Sequence, residues 1–407
     1  MPFPIPPVSA RFMMRHAMKS PVILAILLCA SSFAGDAPAL RTLRVPNNGL
    51  QPQIVSRAGV LHLIYFKGDA AHGDLFYVRS ADNGATFSEP LQVNSQPGSA
   101  VAAGSIRGGQ ITLGGKDLVH VVWNGSSTAR PKGPLNPEMP ADNPHNGLPM
   151  LYSRLGPDGR FEPQRNLMQK TFALDGGGSV AADAEGNVYV AWHAKTEGSA
   201  KGEQGRVVWL AKSTNDGQTF NAESPAFEES TGACGCCGMQ VFADSAGTLR
   251  ALYRSARETV NRDIYLLSSL DQGSTFASAR IDPWEIGACP MSSMSFCEGP
   301  AGVLGAWETA GQVSFASLDK TDPVLAKISA PGPGEHRKHP RLAQNEQGEV
   351  LLVWAVVQGW AKAGSLAWQI FDRNGKPLGE MGSADNLPPW SFGAPVVDSS
   401  GNFLLLY

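Results

Sequence analysis

Ser80-Ala-Asp82-Asn-Gly84-Ala-Thr86-Phe87 recurs as Ser213-Thr-Asn215-Asp-Gly217-Gln-Thr219-Phe220 and as Ser269-Leu-Asp271-Gln-Gly273-Ser-Thr275-Phe276. The shared pattern is a hairpin turn written in side chains. Asp or Asn accepts hydrogen bonds from the N–H groups of its own turn, glycine supplies a positive φ, and the closing Phe packs back between strands. Looser versions stand at Asp158-Gly159 and at Asp372-Arg-Asn-Gly375.

Working outward, each turn lies in a longer phrase made of an apolar strand, a turn with Asp or Gly, and a second strand ending in an aromatic. Examples are Gln110-Ile-Thr-Leu-Gly-Gly-Lys-Asp-Leu-Val-His-Val-Val-Trp123, Ser179-Val-Ala-Ala-Asp-Ala-Glu-Gly-Asn-Val-Tyr-Val-Ala-Trp192 and Gln240-Val-Phe-Ala-Asp-Ser-Ala-Gly-Thr-Leu-Arg-Ala-Leu-Tyr253. Other copies end at Tyr65, Trp307 and Trp354, and Pro395-Val-Val-Asp-Ser-Ser-Gly-Asn-Phe-Leu-Leu-Leu-Tyr407 is a last, partial one. A spacing of roughly 45 to 70 residues is the scale of a propeller blade. Composition agrees. With 45 glycines and 30 prolines in 407 residues, 43% hydrophobic and 17% charged, the chain suits many short strands and excludes a helical bundle or coiled coil. A net charge of −3 offers no basic field for nucleic acid.

The three turn motifs resemble the Asp-boxes, or BNR repeats, of the sialidase superfamily. The resemblance implies an all-β propeller of four-stranded antiparallel blades over residues 35–407. Six full phrases predict six blades, and seven if the terminal phrase pairs with residues 41–46 to close the ring. Asp82, Gly84, Asn215, Gly217, Asp271 and Gly273 are then structural staples. If each inner strand runs downward, the Asp-box turns collect on the lower rim. Residues just before the first strand or just after the second collect on the upper rim. The upper set includes Arg107, His193, Arg262, Asp263, Glu308 and His339, the candidate ligand-binding residues. The long Pro-rich connection after Trp123 (Arg130-Pro-Lys-Gly-Pro-Leu-Asn-Pro) should overhang that rim as a lid.

Sialidases clamp a carboxylate with three arginines and use a Tyr–Glu nucleophile and an Asp acid/base. Carried onto this chain, the resemblance offers Arg44, in Leu43-Arg44-Val45-Pro46, with Arg254 and Arg341 as the clamp, and Asp69 as the acid/base. No tyrosine falls at a late upper-rim position, and each reads more simply as packing. The expectation is therefore a ligand-binding propeller rather than a competent sialidase. The alternative is an exo-sialidase or related glycoside hydrolase acting on glycans.

Cys234-Gly-Cys236-Cys237-Gly-Met239 and Cys289-Pro-Met291-Ser-Ser-Met294-Ser-Phe-Cys297 precede or enter the inner strands of adjacent blades, so they should meet on the upper rim. A disulfide from Cys234 or Cys236 to Cys289 is one reading. A soft-metal site is a second, because thiolates and thioethers select Cu(I), and a redox thiol pair is a third. Zinc lacks an H-x₃-H partner here. No cofactor is required by the rest of the sequence, and copper is the one candidate.

Residues 1–34 carry Arg11, Arg15 and Lys19, then the apolar run Val22-Ile-Leu-Ala-Ile-Leu-Leu-Cys29 and small residues up to Ala34. This is the layout of a signal peptide, with an apolar run too short to span a bilayer. The chain is expected to be exported, periplasmic or secreted, without a transmembrane segment. A monomer binding a glycan, metal or protein ligand is the expected mature form.

Overall fold

In the computed structural model, described residues are 39–227, 229–258, 260–319, 326–356 and 361–407. The proposed signal segment 1–34 lies outside them. The chain folds as a seven-bladed β-propeller. Six blades are four-stranded antiparallel sheets in sequence order, spanning residues 50–92, 110–166, 172–225, 240–282, 295–329 and 337–387. The seventh pairs Ala394–Val397 with Phe403–Leu406 and adds Leu40–Leu43 on the outside, parallel to Phe403–Leu406. Of the two blade counts left open by the sequence, seven is the one observed. The terminal phrase recruits the N-terminal strand, in register Leu40 with Phe403 and Leu43 with Leu406. The seventh blade is three-stranded. Its neighbours are blades 6 and 1, and the inner strands contact one another around a closed ring.

The second strand of each blade is sandwiched between neighbouring sheets and reads as a continuous apolar run. Val119–Asn124 and Val188–Lys195 are buried at every position. The aromatics ending these strands, Trp123, Trp192, Trp307 and Trp354, are fully buried. They fill the wedge between blades, where burial of a large ring contributes most to stability.

The Asp-boxes are the third-to-fourth-strand turns. In the first, Gly84 N donates to Ser80 Oγ at 2.8 Å and Thr86 N to Asp82 Oδ1 at 2.9 Å. The Thr86 hydroxyl and amide hold the Asp82 carboxyl down to about 2. The boxes at Asn215 and Asp271 repeat the pattern, with Thr219 N and Thr275 N as donors at 2.9 and 2.8 Å. Each box packs on the preceding blade. Arg154 and Arg165 of blade 2 donate to Asp216 O and Gly217 O at 2.7 and 2.6 Å.

Gly217 has φ 72°, and a Cβ there would stand 1.8 Å from the Tyr152 hydroxyl. Gly217→Ala should therefore cost a left-handed backbone penalty of about 1–2 kcal/mol and an overpacking penalty of about 1–3 kcal/mol. Gly247→Ala, with φ 84° and nothing within 4 Å, should cost the backbone part alone. Equal urea midpoints for the two variants would refute the stapling role.

Candidate functional site

Chain direction places the first-strand entrances on one rim, and this upper rim carries the chemistry. The centre of interest is the loop before the inner strand Gln240–Ala243. Cys234 N donates to Arg254 O at 2.9 Å, Cys237 N to Cys234 O at 3.3 Å, and Gly238 N to Ser292 O at 2.9 Å. These bonds fold Cys234, Cys236 and Cys237 so that their sulfurs all lie within 4.8 Å of one another. Cys234 Sγ is 3.2 Å from Cys236 Sγ and 3.6 Å from Cys237 Sγ. Gly235 permits the loop to sit this low. A Cβ there would stand 2.5 Å from Asp175 Oδ2 and 2.7 Å from Arg206 Nη1.

A chain of alternating charges borders the loop. Arg107 binds Asp175 at 2.6 Å, Asp175 binds Arg206 at 3.1 Å, and Arg206 lies 3.6 Å from Glu203. Glu203 holds Arg262 at 2.8 Å, and its other oxygen accepts from Gly235 N at 2.8 Å. Arg254 and Glu308 form a buried pair at 3.2 Å. Burial opposes ionisation of Cys237. Hydrogen bonds from Cys234 and Cys236, the Arg254 guanidinium and the Ser292 backbone outweigh it and hold this thiol well below its usual range. In Cys236, hydrogen bonding to Cys234 and then to Cys237 pushes the thiol up, and Cys234 is also pushed up. Of the three, Cys237 is the thiol whose ionisation the surroundings favour, and Cys234 Sγ donates to it at 3.6 Å.

Beside the loop, residues 125–149 roof a cavity of 460 Å³, as expected of a lid. Its polar wall includes Arg107, Asn124, Asp175, Arg206, His72 and His145. Lys195 Nζ ties the lid to blade 3 through Glu138 Oε2 at 2.9 Å.

The remaining candidates are dispersed. Cys289 is exposed and makes no sulfur contact among the described residues, so the two cysteine segments meet at Gly238 and Ser292 instead. Met291, two residues on, has φ 51°. The expected inter-segment disulfide is absent, and the five described cysteines are unbonded. Cys297 is half-buried in the inner strand of blade 5, and desolvation raises its thiol to about 12. Met239 packs with Val241 and Tyr253, and Met294 with Leu252 and Trp307, inside the blades.

His193 is fully buried in register with Asp175, and both its ring nitrogens lack partners. Burial, then Arg206, lowers it to about 4. His339 is buried beside Ser293 Oγ at 3.2 Å. Asp263 Oδ1 accepts from Trp284 N at 2.8 Å. Burial raises Glu308 against the opposing pull of Arg254.

The four residues carried over as catalytic each have other partners, and among the described residues no hydrogen bond or ion pair joins any two of them. Arg44 is exposed, donates to Asp385 O and Asn386 O, and lies over the Tyr407 ring at 4.1 Å. Arg254 is bound to Glu308, and Arg341 donates to Met294 O at 2.9 Å. Asp69 is exposed in a hairpin and caps Ala71 N at 2.8 Å. Among the described residues no tyrosine hydroxyl is hydrogen-bonded to a glutamate. Tyr77 and Tyr152 bond to His62 and His120, Tyr189 to Asp183, and Tyr253 to Thr231. Glu203 and Arg206 went unnoticed in the sequence. Their signal was position, in the second-to-third-strand loop of blade 3.

Comparison with solved structures fits this geometry. A protein of unknown function from Dyadobacter fermentans aligns with TM-score 0.51 at 16% identity, covering 79% of this chain and 94% of its own. Trypanosoma rangeli sialidase aligns with TM-score 0.51 at 12% identity, over 76% of this chain and 53% of its own. The fold is a divergent sialidase-like propeller. At these identities the likeness is one of fold, and the chain spans about half the length of the trypanosomal enzyme. No family model and no curated protein matches the sequence of this sialidase-like propeller. Among its described residues, no helix is long and apolar enough to cross a membrane.

Proposed function

We propose that this chain is an exported soft-metal-binding propeller that takes one Cu(I) on Cys234, Cys236 and Cys237, and that it is not a sialoside hydrolase. The observation that carries this reading is the sulfur trio, gathered within 4.8 Å by one short loop. Metal–sulfur bonds of about 2.3 Å in a plane of three sulfurs separate them by about 4 Å. The sulfur pairs at 3.2 and 3.6 Å reach that spacing by opening about 0.8 and 0.4 Å, a side-chain adjustment that leaves the loop in place. Zinc in a closed site asks for a fourth ligand, and among the described residues no His, Asp or Glu atom joins the trio. Thiolate softness then favours Cu(I). The nearby guanidinium of Arg254 offsets the negative charge that a copper trithiolate carries.

An organic ligand would enter beside the metal, in the cavity under residues 125–149, against Arg107, Asp175 and Arg206. Export rests on the basic and apolar layout of residues 1–34. N-terminal sequencing of the mature protein should begin at Gly35.

The reading is tested by titrating reduced protein with Cu(I) against a chromophoric chelator. One equivalent should bind and shield the three loop thiols from Ellman's reagent, leaving Cys289 and Cys297. Preference for Zn(II), or the absence of tight Cu(I) binding by reduced protein, would defeat it. So would turnover of a fluorogenic sialoside that is lost on Arg341→Ala.

A further inference from the structure

The inner strands enclose an axial cavity of 430 Å³, whose wall includes Gln53, Gln110, Gln240, Ser295 and Arg341. It shares no wall residue with the cavity under the lid. Arg341 is only 8% exposed. Its Nη1 donates to the Met294 carbonyl, and its guanidinium carbon lies 4.5 Å from the Phe392 ring centre. Among the described residues no carboxylate lies within ion-pairing distance of it, whereas Arg254, also buried, holds Glu308. Burial alone depresses Arg341, to about 10, with no acidic neighbour pulling the other way.

The rest of the wall has the same bias. Arg341 Nε, Ser295 Oγ and Gln53 Nε2 are buried without hydrogen-bond partners, and all three can donate. The charged groups at the lower end are already engaged. Glu298 accepts from Ser245, and Arg57 donates to the Leu113 and Gly114 carbonyls. A buried cation without a counter-charge is expensive, and a buried donor without an acceptor adds to that cost.

We propose that the axial cavity binds a small inorganic anion, of the halide or nitrate class, at the Arg341 guanidinium. Ser295 and Gln53 offer further donors on the same wall. The site is independent of the thiol trio, lying among inner-strand residues below it.

The test uses bromide. The melting temperature of the wild-type chain should rise by about 2 °C in bromide relative to gluconate at equal ionic strength. That difference should vanish in Arg341→Met, which keeps an unbranched side chain and removes the charge. Crystals grown in bromide should show an anomalous peak against the guanidinium. Water alone at that position, or an equal bromide effect in Arg341→Met, would overturn the proposal. If Arg341→Met does not fold, the bromide peak in wild-type crystals decides alone.

Discussion

Cys237→Ser is expected to weaken Cu(I) binding by about 100-fold or more, a larger loss than a change in the surrounding shell produces. Cys237 is the sulfur whose thiolate form is favoured against burial by Cys234, Cys236, Arg254 and the Ser292 backbone. Serine at that position leaves an oxygen that stays protonated and hard, and Cu(I) prefers soft donors. Cys234→Ser and Cys236→Ser should also weaken binding. Cys289→Ser and Cys297→Ser should leave it unchanged, because neither sulfur is part of the trio. Proton release distinguishes the mechanism. Metal binding displaces protons from its thiol ligands. With the Cys237 thiol held low, fewer protons should leave per Cu(I) than the three thiols could together supply, read as the dependence of binding enthalpy on buffer ionisation heat. Equal losses from Cys289→Ser would place the metal elsewhere.

How far the sequence reached follows from what kind of interaction made each feature. The Asp-boxes are legible because all their bonds run between residues two to four apart, as in Ser80 to Gly84 and Asp82 to Thr86. The second strands are legible because burial on both faces leaves a continuous apolar run, as at Val188–Lys195. Rim assignment followed from chain direction, and it correctly put Arg107, Asp175, Arg254 and the cysteines on one side. Depth and pairing did not follow. Cys234 and Cys289 both stand six residues before their inner strands, Gln240–Ala243 and Ser295–Gly299, yet one is buried and the other exposed. The difference arises from long-range bonds, Gly238 to Ser292 and Gly235 to Glu203, that no local pattern encodes. The partners of the clamp arginines were hidden for a related reason. A sequence can place Arg254 on a rim, but only the fold reveals that Glu308 already occupies it.

Mild acid is expected to destabilise this protein strongly, well above the range in which its Asp-box carboxyls act. Three histidines are buried neutral. Burial lowers His120 to about 3, His193 to about 4 and His339 to about 3, from an ordinary 6.5, with nearby arginines adding to it. A folded-state value below the unfolded one means that the unfolded chain binds more protons, so the stabilisation is whole above about pH 6.5 and is lost as pH falls toward 4 and 3. Between pH 7 and 5 each such histidine costs about 2 kcal/mol, roughly 6 kcal/mol together. That is comparable with the whole stability of an ordinary domain, about 5–15 kcal/mol. The Asp82 and Asp271 carboxyls, held down to about 2, act only below about pH 4, so the two windows separate. Urea midpoints at pH 7, 6 and 5 should fall steeply, and an unchanged midpoint would contradict neutral burial of these rings. His120 is the cleanest of the three to vary, since it lies in the second strand of blade 2, bonded to the Tyr152 hydroxyl at 2.7 Å and away from the thiols. His120→Asn can keep a polar partner for that hydroxyl yet cannot titrate, so it should flatten the slope between pH 6.5 and 5 by about a third. A slope identical to wild type would assign the acid sensitivity to other groups.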